Sequence, residues 1–190
     1  MRNIIRRVLF QLQKLRVIYY KFLSSDVELV GKPIRNQPLL FTGQGKVIFH
    51  GNVRIGYFPS PGYFNTYAHF DLRGQNASIE IDEGVILNNN AALIADNANI
   101  FIGRKCLIGP NVTVYTSDFH SLDPEKRLSE EGPMLDVIIQ ENVFIGTNVT
   151  ILKGVTVGKN SVIGVGSVVI ENVPENVIAA GVPCKVIKSL

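Results

Sequence analysis

Two cysteines in 190 residues, Cys106 and Cys184, are too few and too far apart for a disulfide framework, and no C-x-x-C pair is present. That scarcity suits a reducing compartment, with both thiols as small packing residues. Charge is also scarce, at 18% of residues. No run of about 18 apolar residues occurs, which excludes a transmembrane helix on the sequence pattern. Tryptophan is absent, and acids are absent from residues 1–24, which hold Arg2, Arg6, Arg7, Lys14, Arg16 and Lys21. The remaining chain has 13 basic and 16 acidic residues, so the net charge of +3 belongs to one end. A nucleic-acid-binding body would need a basic face with aromatic platforms, and the mildly acidic body supplies none.

What the chain has in excess is 22 Val and 21 Ile, together with 16 Asn and 17 Gly. This is too apolar for a disordered chain, because burial can offset the entropy of ordering. It is also too rich in β-branched residues and glycine for a helical bundle. The composition predicts one soluble, β-dominated domain with many Asn and Gly turns.

Residues 1–24 read as an amphipathic basic helix, with Ile5, Val8, Leu9, Leu12, Leu15, Tyr19, Phe22 and Leu23 recurring at steps of three and four. Arginines and lysines interrupt it throughout, which argues against a secretory signal. Two readings stand: a helix packed on the domain or on a neighbouring subunit, and a helix lying on an anionic membrane surface. Residues 25–78 follow as a connector with irregular first coils. Within them Tyr57 to Phe64 form a Gly/Pro/aromatic loop. Its Tyr57, Phe58, Tyr63 and Phe64 either cover the first coil or stack on a sugar ring.

From Ile139 onward an aliphatic residue recurs at every sixth position: Ile139, Ile145, Ile151, Val157, Ile163 and Val169. Four positions after each stands a Val or Ser, at Val143, Val149, Val155, Ser161, Ser167 and Val173. The same register appears at Ile102, Ile108 and Val114, with Cys106, Val112 and Asp118 four positions on, and less regularly at Ile81 and Leu87. A period of six is neither helical nor a simple alternation. It fits a solenoid of short straight segments, with the aliphatic and the small residue inward and Asn or Gly at the corners. Asn148, Asn160 and Asn172 occupy those corner positions. Three hexads close a triangular coil, and stacked coils pair as parallel strands about 4.8 Å apart. The expected body spans residues 79–174, with coils at 102–119, 139–156 and 157–174 and a tail at 175–190. Residues 120–138 fall outside the register as a polar protruding loop that opens on His120, a common place for function on a rigid scaffold.

Three stretches carry a family resemblance: Asn89 to Gly103 with Asp96; Pro110-Asn111-Val112 followed by Thr116 to His120 and Arg127; and the tail Ala179 to Lys188. Over residues 79–190 the chain resembles the hexapeptide-repeat acyltransferases, most closely the galactoside, maltose and polysaccharide O-acetyltransferases. The resemblance implies an all-β, left-handed parallel β-helix; the general crossover rule would predict the other hand. It implies acetyl-CoA as acyl donor, a sugar or glycan hydroxyl as acceptor, and a homotrimer with active sites between subunits; no metal is expected, and the expected location is cytoplasmic or peripheral at the inner face of the cytoplasmic membrane. His120 matches the catalytic base. A sugar hydroxyl is a weak nucleophile, and an imidazole can take its proton as it attacks the thioester. Asn89 and Asp96 match acceptor-binding positions, with Asn88 as a one-residue alternative to Asn89. Asp123 is a candidate to orient His120, and Arg127 and Phe144 join the acceptor side. Phe144 stands where many relatives have Trp. Thr147 matches the donor to the developing oxyanion, and Val165, Lys185 and Lys188 match CoA contacts. Glu171 stands where relatives often have a cation.

Other functions on this scaffold are acyl transfer to an amino sugar or serine, a metal hydratase, and a non-catalytic scaffold. Serine enzymes carry a large N-terminal helical domain, and here there is one helix. A hydratase needs three histidines on one metal, and the spacing of His50, His69 and His120 does not match. The His120 loop argues against a bare scaffold.

Overall fold

The computed structural model describes residues 2–190. One α-helix, α1 (Arg2–Leu23), precedes a left-handed parallel β-helix of triangular cross-section. Its three faces are sheets of parallel strands, the second closed by one antiparallel strand. The first runs from Glu28–Val30 to Thr156–Val157, the second from Ile34–Arg35 to Cys184–Ser189, and the third from Leu39–Gly43 to Val168–Val169. The solenoid therefore begins at Glu28, and residues 28–73 supply its first two coils.

The hexads set the register. Ile139 faces Val157, Ile145 faces Ile163, and Ile151 faces Val169 on successive coils. One coil earlier, Ile102, Ile108 and Val114 face Ile139, Ile145 and Ile151 across the gap left by the loop. Further up, Ile81, Leu87 and Leu93 face Ile102, Ile108 and Val114. Within each of these coils the step from face to face stays at six residues. Every surplus residue lies where the third face turns back to the first. At the wider N-terminal end Phe41, Phe49 and Phe70 fill the core, with Phe41 and Phe49 packed on Phe70 at ring distances of 5.9 and 6.2 Å. Toward the C-terminus the inward small positions become Ser161 and Ser167, both fully buried. Ser161 donates to Pro174 O and accepts from Val177 N, while Ser167 donates to Gly164 O and accepts from Gly181 N. These hydroxyls hold the tail onto the last coil.

Asparagines turn the corners with left-handed backbone, which their short polar side chains tolerate better than most. Asn90, Asn111 and Asn148 have φ of 62°, 58° and 58°, and their amides form one hydrogen-bonded ladder. Asn142, Asn160 and Asn176 form a second, at 2.9 and 2.7 Å. Two sequence expectations fail at the ends of the repeat. Asn172 is not a left-handed corner; its side chain accepts from Thr156 N, and Asn176 takes the corner instead. The last coil closes early, because Ile163 pairs with Ala179 and Val157 bridges to Val173. Asp118 does not point inward either. The chain has already left the third face after Tyr115, and Asp118 pairs with Lys153 at 2.7 Å.

Cys106 fills an inward position, fully buried, and its Sγ donates to Gln140 O at 3.0 Å. Burial pushes its thiol up to about 11, so the reactive thiolate is scarce at pH 8.5. Cys106 is expected to resist iodoacetamide at that pH in the folded chain and to react in denaturant. Mass spectrometry of the labelled peptide checks this, and rapid native labelling would contradict it.

Helix α1 lies across the start of the third face, and not on the stripe its periodicity highlights. Its docked residues are Phe10, Gln13, Arg16, Val17, Tyr20 and Ser24. Gln13, 3% exposed, donates to Tyr63 O at 2.7 Å and to Asn36 O. Arg16 donates to Phe64 O and Thr66 O. Phe10 inserts among Phe58, Tyr63 and Phe64 at ring distances of 5.0 to 6.1 Å. The aromatic loop thus serves as the seat of the helix. Among the described residues no helix is long and apolar enough to cross a membrane.

Candidate active site

The edge where the third face returns to the first carries the polar side chains best placed for chemistry. Ala68–Arg73 and Ala92–Asp96 overrun the face there, so Arg73 faces Asp96 across adjacent coils. On the next coil the chain leaves at Thr116 and returns at Val137. The protruding segment is pinned at its base by the Thr116 carbonyl, which accepts from Leu135 N, and by a bridge between Ser117 and Met134. Thr116 Oγ1 accepts from Asp96 N at 2.8 Å, tying the loop to the coil above. The partly buried Asp118–Lys153 pair ties it to the coil below.

Phe119 adopts a φ of 64°, a conformation that a bulky side chain rarely takes. Its N–H donates to Ser117 Oγ, and the Arg73 guanidinium lies 4.5 Å above its ring. This turn presents His120 outward. The His120 ring is exposed, with Nδ1 3.1 Å from Arg127 O. A carbonyl can only accept, so Nδ1 carries the proton in the neutral ring and Nε2 keeps a free lone pair. An imidazole so held can act as a base through Nε2.

The other nominated residues separate into groups. Asp96 is 9% exposed, and among the described residues its carboxylate has no ion-pair partner. Asp71, also nearly buried, is occupied by Arg73 and Thr42. Asn89 is fully buried, and its side chain is used entirely within the chain. Its Oδ1 accepts from Tyr57 N, and its Nδ2 donates to the carbonyls of Tyr57, Ser60 and Pro61 at 2.9 to 3.1 Å. It anchors the aromatic loop. Asn88 donates to Ser60 Oγ and accepts from Asn89 N. Asp123 accepts from Glu125 N as a turn cap, and the orienting partner of His120 is the Arg127 backbone. The Arg127 guanidinium makes only a 3.4 Å contact to Leu122 O.

Thr147 and Val165 lie one above the other on a different edge, between the second and third faces. Thr147 is half-buried and Val165 is 70% exposed. Phe144 stands outward on the second face in a column with Leu107 and Val162. Lys185 and Lys188 are on the antiparallel strand Cys184–Ser189 at the end of that face, and Glu171 pairs with Lys185 at 2.8 Å. The sequence reading missed Arg73, Phe119 and Lys153. Lys153 and Asp118 both lie just beyond the third face but two positions apart in the register, since Val114 pairs with Ile151, so the signal for their pairing is weak. Arg73 has none, because its register depends on irregular insertions upstream.

Among the described residues no group of three His, Cys, Asp or Glu side chains is placed to hold a metal. His50 pairs with Glu80 on the first face. His69 donates to Thr42 Oγ1 on the third, where burial lowers its pKa and Asp71 partly opposes the shift.

Residues 136–171 match the family described as bacterial transferase hexapeptide (six repeats). The chain is 32% identical over 175 residues to a Dictyostelium discoideum protein assigned as an acetyltransferase, covering 92% of this chain and 81% of that protein. The chain belongs to the hexapeptide-repeat acetyltransferase family. Within this family it is 40% identical over 120 residues to the galactoside O-acetyltransferase of Lactococcus lactis, covering 63% of this chain and 55% of that enzyme. A hexapeptide-repeat acetyltransferase from Vibrio cholerae, solved with acetyl-coenzyme A, superposes with a TM-score of 0.51 at 25% identity, covering 97% of this chain and 86% of that one. The chain spans about half the length of several curated relatives it matches.

Proposed function

We propose that this hexapeptide-repeat protein is an acetyl-CoA-dependent O-acetyltransferase acting on a sugar hydroxyl, with His120 as general base. The observation that carries this reading is the fixed imidazole: Nδ1 is held by Arg127 O and Nε2 is open to solvent at the mouth of the loop. Nε2 removes the acceptor's hydroxyl proton as the oxygen attacks the thioester carbonyl. The tetrahedral oxyanion then collapses, the carbon–sulfur bond breaks, and the imidazolium returns its proton to the leaving thiolate. Asp96, whose carboxylate has no ion-pair partner among the described residues, accepts from acceptor hydroxyls, and the Arg73–Phe119 stack walls the acceptor side.

Thr147, Val165, Phe144 and the tail lysines lie on another edge and face of the prism. One copy therefore holds the base and a neighbouring copy the donor groove, which supports a homotrimer with sites between subunits. Lys188 and the exposed Val165 suit a phosphate-bearing donor with a flexible apolar arm. Lys185 offers less, since Glu171 already balances it. The galactoside and acetyl-CoA-bound relatives support both substrate classes.

The test is a panel of galactosides, glucosides and amino sugars incubated with acetyl-CoA, with free thiol as readout. Thiol release is expected only when a sugar is present. If no acceptor stimulates release and calorimetry detects no acetyl-CoA binding, the chain is a non-catalytic member and the proposal fails.

A further inference from the structure

The outer face of α1 leaves an unusual surface. The helix is fixed in rotation by Gln13 and Arg16, which bind the backbone of the aromatic loop, and by Phe10, Val17, Tyr20 and Ser24 beside them. At about 100° per residue, the opposite side is a continuous apolar arc of about 140°. It comprises Ile4, Ile5, Val8, Leu12, Leu15, Ile18, Tyr19, Phe22 and Leu23, with Gln11 the single polar member. All nine are exposed, up to 83% for Phe22. An ordinary helix of a soluble domain turns such a stripe inward, and single exposed apolar residues need no explanation, whereas a contiguous patch of this extent marks an interaction site.

Charge specifies the kind of partner. Arg7, Lys14 and Lys21 are spaced seven apart along one border of the arc, all exposed, and the helix contains no acid. The clefts beneath that border carry the same sign. Those of about 600 and 530 Å³ are lined by Lys21, Lys32 and Arg35 and by Lys14 and Arg35; a third, of about 490 Å³, includes Arg6 and Arg7. Among the described residues no Asp or Glu lines any of the three. Arg35 is half-buried against the Phe41 ring at 5.3 Å, with no carboxylate partner among the described residues. A second copy of this chain would have to meet a +6 segment with a body whose net charge is only −3. An anionic lipid surface matches both features at once: acyl chains for the arc and headgroup phosphates for the cationic border.

We propose that α1 is an in-plane anchor that docks the folded protein on an anionic membrane surface, its apolar arc below the headgroups and Arg7, Lys14 and Lys21 among them. The arc lies away from the body, so docking requires no unfolding of the solenoid.

The test is flotation of the full chain with vesicles of phosphatidylcholine containing about a third phosphatidylserine, against pure phosphatidylcholine. Binding to the anionic vesicles is expected to exceed binding to neutral ones by at least about tenfold. The double variants Leu15→Asp/Phe22→Asp and Lys14→Glu/Lys21→Glu are each expected to lose at least about tenfold, with unchanged melting temperature because none of the four side chains supports the body. Absence of wild-type binding, or either double variant floating like wild type, overturns the proposal. Light scattering reports the alternative occupant. If Leu15→Asp/Phe22→Asp lowers the molar mass in solution while wild type stays off vesicles, the arc is a contact between copies and the membrane assignment is wrong.

Discussion

His120→Ala is expected to lower kcat by at least about 100-fold while leaving the melting temperature unchanged. The ring is exposed and its one hydrogen bond among the described residues is to Arg127 O, so its removal strands no buried group. The loss should fall on kcat, because a base acts on the bound acceptor. His120→Asn can still donate to the Arg127 carbonyl but cannot take a proton, and should be as impaired. Arg127→Ala keeps the carbonyl and sheds only an exposed guanidinium, so activity within about threefold of wild type is expected. Thiol release at saturating acetyl-CoA and sugar measures all three. Full turnover in His120→Ala would remove the base assignment.

The second large effect is on stability. Asn89→Leu keeps the number and branching of the side-chain heavy atoms and deletes every polar atom. It leaves the part-buried Tyr57 N–H and three loop carbonyls without their fully buried partner. Each stranded group costs about 1–3 kcal/mol, reduced where the loop can shift and admit water, so about 3 kcal/mol in total is expected. For a chain of this size that lowers the melting temperature by about 6–12 °C. The loop also seats Phe10 and Arg16, so α1 should become more accessible to proteases. A residue that only touched the acceptor would raise KM and leave melting unchanged. Thermal unfolding followed by circular dichroism separates the two roles.

The hexads from Ile139 to Val169 were readable because no residue is added or lost between them, so the period alone dictates which side chains face in. The reading failed where the count changes. Asp118 and Asn172 lie past the last residue that obeys the period, where extrapolating it gives the wrong facing. Upstream, the insertion after Ile55 shifts the phase, and the first two coils cannot be indexed without knowing its length. His120 was legible through its place at the mouth of the only interruption in a strict register. Its orienting partner was not, since a backbone carbonyl has no residue signature, whereas the nearby Asp123 has one and caps a turn instead. The helix was legible as amphipathic, but its docked face was not. Docking is decided by polar anchors, Gln13 and Arg16, that pattern rules assign to solvent.

The left-handed coil also gives this protein a kind of reading frame. Equivalent inward positions recur in sixes on all three faces, so deleting one residue between Ile139 and Val169 would turn every later aliphatic out of the core. In the coils from Ile81 onward, only the edge between the third and first faces is exempt. There the step from one coil to the next stretches from 18 residues at Ile139–Val157 to 21 at Ile81–Ile102 and 37 at Ile102–Ile139, with no change of phase. From Ile81 onward length is gained or lost at that edge alone, and the same edge carries Arg73, Asp96 and His120. New loop sequence, and with it new acceptor chemistry, can enter there without the core registering the change.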